Sequence, residues 1–252
     1  MLIAHQKIVR DRMADEDKYN LFGNYWDAID KDLSMAIVKP VNYKTAQNII
    51  EKYEWLGCMP AIVWYCYGIF FDGNLGGVVV FGVDYTENLG VWNKFDYTGK
   101  IILLSRGACV HWTPKNTASK LITQAIKMLP EKYKIVTATV DHLAGEIGTI
   151  YQACNFYYIG CMRENNPKVK GNKVKRDGWL INGKIYGSRS LRSKIGSQKR
   201  EDILRHFPMA VYMEQKSKDR YFFFRGNRKE QEYYKSKIEQ FIKPYPKRTS
   251  DG

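Results

Sequence analysis

The chain has no run approaching the roughly 20 apolar residues needed to span a bilayer. Its N-terminal segment 7–18 is charged where a secretory signal would be apolar. A cytoplasmic protein with no membrane partner is the expectation. Cysteine is scarce and odd in number, five residues at 58, 66, 109, 154 and 161 without a C-x-x-C spacing, so reduced thiols are expected and a disulfide framework is excluded. The four histidines are dispersed and share no ligand spacing with the cysteines, which argues against a bound metal. Internal repeats and low-complexity tracts are absent as well, excluding solenoids and disordered polymers.

Acidic residues are lacking in one part of the chain only. Residues 1–165 carry 17 Lys/Arg against 17 Asp/Glu, whereas 166–252 carry 23 against 9, so the whole formal charge of +14 lies in the last third. A neutral front joined to a basic, tyrosine- and phenylalanine-bearing back is the footprint of a polyanion-binding protein, because each cation near a phosphate releases condensed counterions. A solvated basic tail is the plainer alternative. At 252 residues and 44% apolar content the chain can bury a core of one large domain plus a smaller one.

Periodicity supplies the order of elements. Residues 1–35 read as an N-terminal arm. A strand at 36–41 precedes a helix capped by Asn42, with Ala46, Ile49, Ile50 and Tyr53 at helical spacing. Apolar runs at 61–71 and 76–82 around Asp72-Gly73-Asn74 form a hairpin. After a polar loop at 84–99 come a central strand at 101–110, broken near Arg106 and Gly107, and a helix starting at Thr113-Pro114 or Asn116. A strand at 135–140, a short helix at 147–153 and a strand at 156–159 complete a β-α-β-β-β-α-β-α-β order. The expected fold is α+β, a mixed central sheet flanked by helices in the manner of an acyltransferase. It spans 36–165, with a linker at 166–176 and an appended small basic α+β module at 177–252. That module has a hairpin about Asn182-Gly183, a helix capped by Ser197, a strand at 220–225 and a helix opened by Asn227 with Glu230.

Chemistry concentrates between Leu104 and Phe156. Arg106 ends the central strand, and Lys115, Asn116 and Ser119 stand at the entrance of the next helix, where free N–H groups and the helix dipole suit a phosphate. An ordinary strand-loop-helix connection is the alternative. Asp141 ends a buried strand ten residues before Tyr151, giving a candidate base and a candidate proton donor; Asp141 capping a turn and Tyr151 filling core is the competing reading. Glu54, beside Trp55 at the end of the first helix, is a further carboxylate that a substrate could reach.

Ser105-Arg106, Pro114-Lys115-Asn116, Ser119, Asp141 and above all the run Gly148-Thr149-Ile150-Tyr151-Gln152-Ala153-Cys154-Asn155-Phe156 resemble the bacteriophage Mom proteins over residues 36–165. The resemblance implies a GNAT acyltransferase fold and conversion of adenine in phage DNA to its N6-carbamoylmethyl form, as protection against restriction. It implies that Arg106 and Ser119 hold the donor and that Asp141 and Tyr151 form the catalytic centre. Two departures stand out: 112–119 contains no glycine where the GNAT pyrophosphate loop is glycine-rich, and Glu54-Trp55 stands where Mom has a His-Tyr pair. Acetyl-CoA and glycyl-tRNA both fit as donor, tRNA being in that case a second partner. Double-stranded DNA is the expected acceptor, met by Arg189, Arg192, Lys194, Lys199 and Arg200, with Trp55 or Tyr151 placed to stack on a flipped base. Two alternatives stay open: a GNAT-type enzyme acting on RNA, protein or a small amine, and a non-enzymatic DNA-binding protein on that scaffold.

Overall fold

The computed structural model describes residues 4–18, 25–84, 93–161 and 175–248. The elements within them are α1 (His5–Lys18), β1 (Ile37–Pro40), α2 (Tyr43–Tyr53), β2 (Tyr65–Phe71), β3 (Asn74–Gly82), β4 (Ile101–Cys109), α3 (Thr117–Met128), β5 (Ile135–Val140), α4 (Thr149–Ala153) and β6 (Tyr157–Gly160). They continue with β7 (Lys175–Ile181), β8 (Lys184–Gly187), α5 (Ser188–Ile195), α6 (Arg200–His206), β9 (Val211–Lys216), β10 (Asp219–Phe224) and α7 (Arg228–Ser236). From β1 to β6 the order is the one that periodicity implies, and the architecture is the expected α+β with a mixed central sheet flanked by helices.

Seven strands form that sheet in the order β1-β2-β3-β4-β5-β10-β6, every pairing antiparallel except β4 with β5. The β2–β3 turn places Asp72 at φ 45° and Gly73 at φ 79°, the double left-handed geometry that a two-residue hairpin turn requires. Side chains of the central strands alternate between two cores. Ile102, Leu104, Val136, Ala138 and Tyr221 join Leu121, Ile122, Ala125 and Ile126 of α3 in one cluster. Ile101, Ile135, Phe222 and Phe224 join Phe95, Tyr97, Tyr234 and Ile238 in another. The stretch 84–99, expected as a polar loop, therefore delivers two core aromatics; residues 85–92 lie outside those described. Past the end of α3, the Arg225 guanidinium donates to the carbonyls of Leu129, Pro130 and Tyr133 at 2.7, 2.8 and 2.5 Å, clamping the turn that joins α3 to β5.

The stretch 177–252 does not form one separate module. β7, β8 and β9 make a second sheet, in the order β8-β7-β9, that packs with α5 and α6 around Trp179, Ile181, Leu191, Ile203 and Ala210. β10 instead enters the main sheet between β5 and β6, and Tyr234 of α7 belongs to the second core of that sheet. Apolar side chains on both faces of Tyr221–Phe224 demand burial in a covered sheet, and the small lobe has no face to give them. The basic lobe is thus an insertion, 175–216 in its described part, between two strands of the main sheet; most of the expected linker lies outside the described residues. Within the lobe, Gly196 at φ 74° ends α5, and α6 starts at Arg200, where one helix from Ser197 is expected. The Ser197 hydroxyl still donates to Asp202 and accepts from the Lys199 amide.

Candidate active site

The site is built where β4 and β5 part. Their parallel pairing runs only from Ile101–Leu104 against Ile135–Ala138. Beyond it, β4 follows β3 to Cys109, while Thr139 and Val140 pair with Arg220 and Asp219 of β10. The register against β3 slips between Val80 and Phe81, leaving Ser105 as an extra residue whose hydroxyl donates to the Val80 carbonyl at 3.0 Å. The sequence reading put the break at Arg106 and Gly107; it falls one residue earlier, and the strand continues. The bulge re-aims Arg106. Its Nε donates to the Cys58 carbonyl at 3.0 Å and Nη1 to that of Ser105 at 2.7 Å, tying the strand to the segment that follows α2.

Glu54 closes α2. Its buried carboxylate accepts the amides of Leu56 at 2.8 Å and Gly57 at 3.1 Å. Burial pushes its carboxyl above the ordinary range, the Arg106 charge and the two amides oppose this, and the charge of Glu146 adds to it. Glu146 comes from the turn after β5. One of its oxygens accepts the Asp141 amide at 3.2 Å, and the carboxylate also accepts the Trp55 indole N–H. Burial raises its carboxyl too, with Asp141 contributing and Lys218 opposing. Gly148, at φ 74°, then starts α4 and sets Tyr151 in place, its ring 5.4 Å from Phe156 and 5.5 Å from Tyr221. The Tyr151 phenol is held above its ordinary range by burial first, then by Glu146 and Glu54, while Arg106 opposes. Two carboxyls, a guanidinium and a phenol therefore lie close enough to feel one another's charge in a largely buried cluster, an arrangement able to move protons and steady a developing oxyanion.

Of the sequence candidates, Glu54, Trp55, Arg106 and Tyr151 are brought together. Asp141 adjoins them through its backbone, but its side chain faces Lys218, at 3.6 Å. Trp55 is 8% exposed, bonded to Glu146 with His5 edge-on at 5.3 Å, and so packs against this cluster. Lys115 and Asn116 are exposed at the start of α3. Asn116 holds the cap position at φ 69° with no side-chain cap bond. Ser119 lies in the first turn, half-buried, its carbonyl accepting the Thr123 hydroxyl at 2.8 Å. Arg192, Lys194, Lys199 and Arg200 are exposed on α5, on α6 and between them; Arg189 lies in α5, its side chain outside the description.

Sequence reasoning missed Glu146, a lone acid in a loop, whose nearest signal is its place two residues before Gly148. It also missed the neighbouring pair in which His142 Nε2 lies 2.7 Å from Asp219, which accepts in addition from the Tyr158 hydroxyl. Burial works to raise the Asp219 carboxyl, yet these two hydrogen bonds and the His142 charge hold it below the ordinary range. Among the described residues no group of three or more His, Cys, Asp or Glu side chains is gathered as a metal would need, and no helix is long and apolar enough to cross a membrane.

Several solved structures are similar in fold at low identity. A GNAT family acetyltransferase from Elizabethkingia anophelis with acetyl-CoA bound is 9% identical with a TM-score of 0.40, over 75% of this chain and 98% of that one. A mutant spermidine N-acetyltransferase from Vibrio cholerae is 12% identical with a TM-score of 0.41, over 80% and 96%. An IAA acetyltransferase from Bacillus cereus is 10% identical with a TM-score of 0.39, over 75% and 99%. No curated protein matches the chain. Residues 35–247 match the Mom protein family.

Proposed function

The chain belongs to the Mom protein family of bacteriophage DNA-modification proteins, and on that premise we propose that it is a GNAT-like transferase converting adenine in double-stranded DNA to N6-carbamoylmethyl adenine. The observation that carries the chemistry is the convergence of Glu54, Glu146, Arg106 and Tyr151 where β4 and β5 part. Attack by an aromatic amine on an acyl carbon requires a base for the amine proton, a donor at the leaving oxygen and a cation for the oxyanion. Burial raises the Glu146 and Glu54 carboxyls, which favours proton exchange with a bound amine at this centre. Glu146 takes the amine proton, Arg106 faces the oxyanion, and Tyr151, neutral throughout, donates a hydrogen bond to the departing oxygen. Asp141 and Lys218 border this centre.

The first-turn amides of α3, with Lys115, Asn116 and Ser119, suit the phosphates of either coenzyme A or tRNA. Product composition favours a glycyl ester. An acetyl group carries no nitrogen, whereas a carbamoylmethyl group does. With glycyl-tRNA, N6 attacks the ester carbonyl and the tRNA hydroxyl leaves with a proton. The glycyl amine then attacks C6, loses a proton, and expels the original N6 as the carboxamide nitrogen. An N6 isotope label found still bonded to C6 in the product would refute this route.

The test is a restriction challenge. Plasmid DNA from cells expressing the wild-type chain is expected to resist adenine-sensitive endonucleases, and DNA from cells expressing Tyr151→Phe or Glu146→Gln to be cut. Full sensitivity with the soluble wild-type protein would overturn the reading.

A further inference from the structure

Helix α1 precedes the residues that match the Mom family, which begin at 35, yet it touches the active centre. Its contacts fall on one stripe. Gln6, Arg10, Met13 and Asp17 stand at i, i+4, i+7 and i+11, the spacing of a single helix face. Met13 is buried in the main core, and the other three make polar contacts. The Asp17 carboxylate lies 2.8 Å from His111 Nε2, and Arg10 Nη2 donates to the carbonyls of His111 and Thr113, each at 3.0 Å. The later turns of α1 are thus tied to the loop between β4 and α3. The His111 ring packs 6.3 Å from that of Tyr53, the last residue of α2.

The first turn of α1 meets the segment that carries Glu54. Gln6 Nε2 donates to the Tyr53 carbonyl at 2.5 Å, and Gln6 Oε1 accepts the Trp55 amide at 3.1 Å. A primary amide has a donor on one atom and an acceptor on the other, and here both are used on the two peptide groups that flank Glu54. The backbone invites this. Glu54 is extended, at φ −96° and ψ 140°, so the carbonyl before it and the amide after it face the same way, as they do in a strand. Tyr53 also ends a helix, where carbonyls lose their intrahelical donors. Between the two clamped peptides stands the Glu54 side chain, which accepts the amides of Leu56 and Gly57, while Trp55 bonds to Glu146 and meets His5 edge-on.

From this bridging of both neighbours of Glu54, we infer that Gln6 is a positioning residue of the active centre, fixing the Glu54 carboxylate and the Trp55 ring relative to Glu146 and Arg106. Its effect on rate rests on the DNA-modifying reading above. Displacing a reacting group by about 1 Å costs on the order of a hundredfold in rate, so a clamp one residue away on either side has leverage. Simple docking of α1, without bearing on Glu54, is the competing role.

The full chain is tested as wild type, Gln6→Met and Arg225→Met. Methionine keeps the length and apolar stem of Gln6 and makes neither hydrogen bond. Arg225 lies at the other end of β5 from the centre, so its variant controls for lost stability. The readouts are amide hydrogen exchange at Leu56 and Gly57, affinity for a fluorescein-labelled duplex, and the rate at which plasmid DNA is modified. Gln6→Met is expected to melt within about 5 °C of wild type and to bind the duplex within about twofold. Exchange at Leu56 and Gly57, which report the Glu54 carboxylate, should speed up by about tenfold, and modification should slow by roughly tenfold or more. Arg225→Met, kept at a temperature where it is folded, should match wild type in rate and in protection at these two amides. Wild-type protection at Leu56 and Gly57 in Gln6→Met would overturn the inference even with a slower rate, because α1 would then dock without holding Glu54. A wild-type rate in Gln6→Met would overturn it as well. Should wild type itself yield no modified nucleoside, the proposed chemistry falls, and lost protection at Leu56 and Gly57 in Gln6→Met would still establish the clamp.

Discussion

Replacing Gly148 by alanine probes the joint between fold and site. Gly148 sits at φ 74°, where an L side chain costs about 1–2 kcal/mol. An added Cβ would lie 2.4 Å from Cε2, 2.6 Å from Cζ and 2.8 Å from Oη of Tyr221, closer than carbon atoms approach without displacement. That ring cannot swing aside. It is fully buried, its hydroxyl donates to the Ile147 carbonyl at 2.5 Å and accepts from the Gln152 amide at 3.1 Å, and Tyr158 packs 5.1 Å away. Forcing it costs a further 1–3 kcal/mol, roughly, as overpacking does. The sum is about 2–5 kcal/mol, a large share of a stability of about 5–15 kcal/mol. For a chain of this size the melting temperature should fall by on the order of 10 °C. Because Tyr151 follows Gly148 within the same helix, DNA modification should fall by more than the folded fraction does. Thermal melts by circular dichroism, paired with restriction sensitivity of plasmid DNA at a temperature where the variant stays folded, read both effects. A variant melting within about 1 °C of wild type would refute the packing argument.

Two further outcomes follow from buried polar groups. Arg225→Met keeps the apolar stem but removes the guanidinium hydrogen bonds to the carbonyls of Leu129, Pro130 and Tyr133; urea titration should show a loss of about 2–5 kcal/mol, and an unchanged midpoint would contradict the clamping role. For Glu146, burial raises the folded-state carboxyl above its unfolded value, so the folded chain binds more protons and that contribution to stability is lost as pH rises through the raised value. Glu146→Gln should therefore gain stability relative to wild type on going from about pH 4 to about pH 8, as read by melts across that range; a difference that shrinks with rising pH would contradict the burial.

Local chemistry was legible in the sequence, and long-range placement was not. Alternating apolar residues and the Asp72-Gly73 turn specify the hairpin. The Asn227–Glu230 capping box forms both of its bonds, at 2.9 and 3.0 Å. Tyr221–Phe224 reads correctly as a strand, yet nothing in a strand's own residues names its partners, so its insertion between β5 and β6 appears only in three dimensions. The helix Ser188–Ile195 went unread, because its basic residues stand among few apolar ones right after a hairpin. In the site, residues with a motif around them, Arg106 and Tyr151, could be found. Glu146, His142 and Asp219 could not, since their roles arise from neighbours up to 92 positions away in sequence, as Glu54 is from Glu146. The local pattern was misleading at Asn116, which holds the cap position in a left-handed conformation that turns its amide away from capping.

Whether the Glu54–Arg106–Glu146–Tyr151 cluster modifies adenine in DNA is read from mass spectrometry of nucleosides from plasmid DNA of expressing cells. Wild type is expected to yield a deoxyadenosine heavier by one carbamoylmethyl group, absent with Glu146→Gln in otherwise folded protein. Unmodified deoxyadenosine from cells holding soluble wild-type protein would contradict it, as would the same heavier nucleoside at an undiminished level in the Glu146→Gln sample.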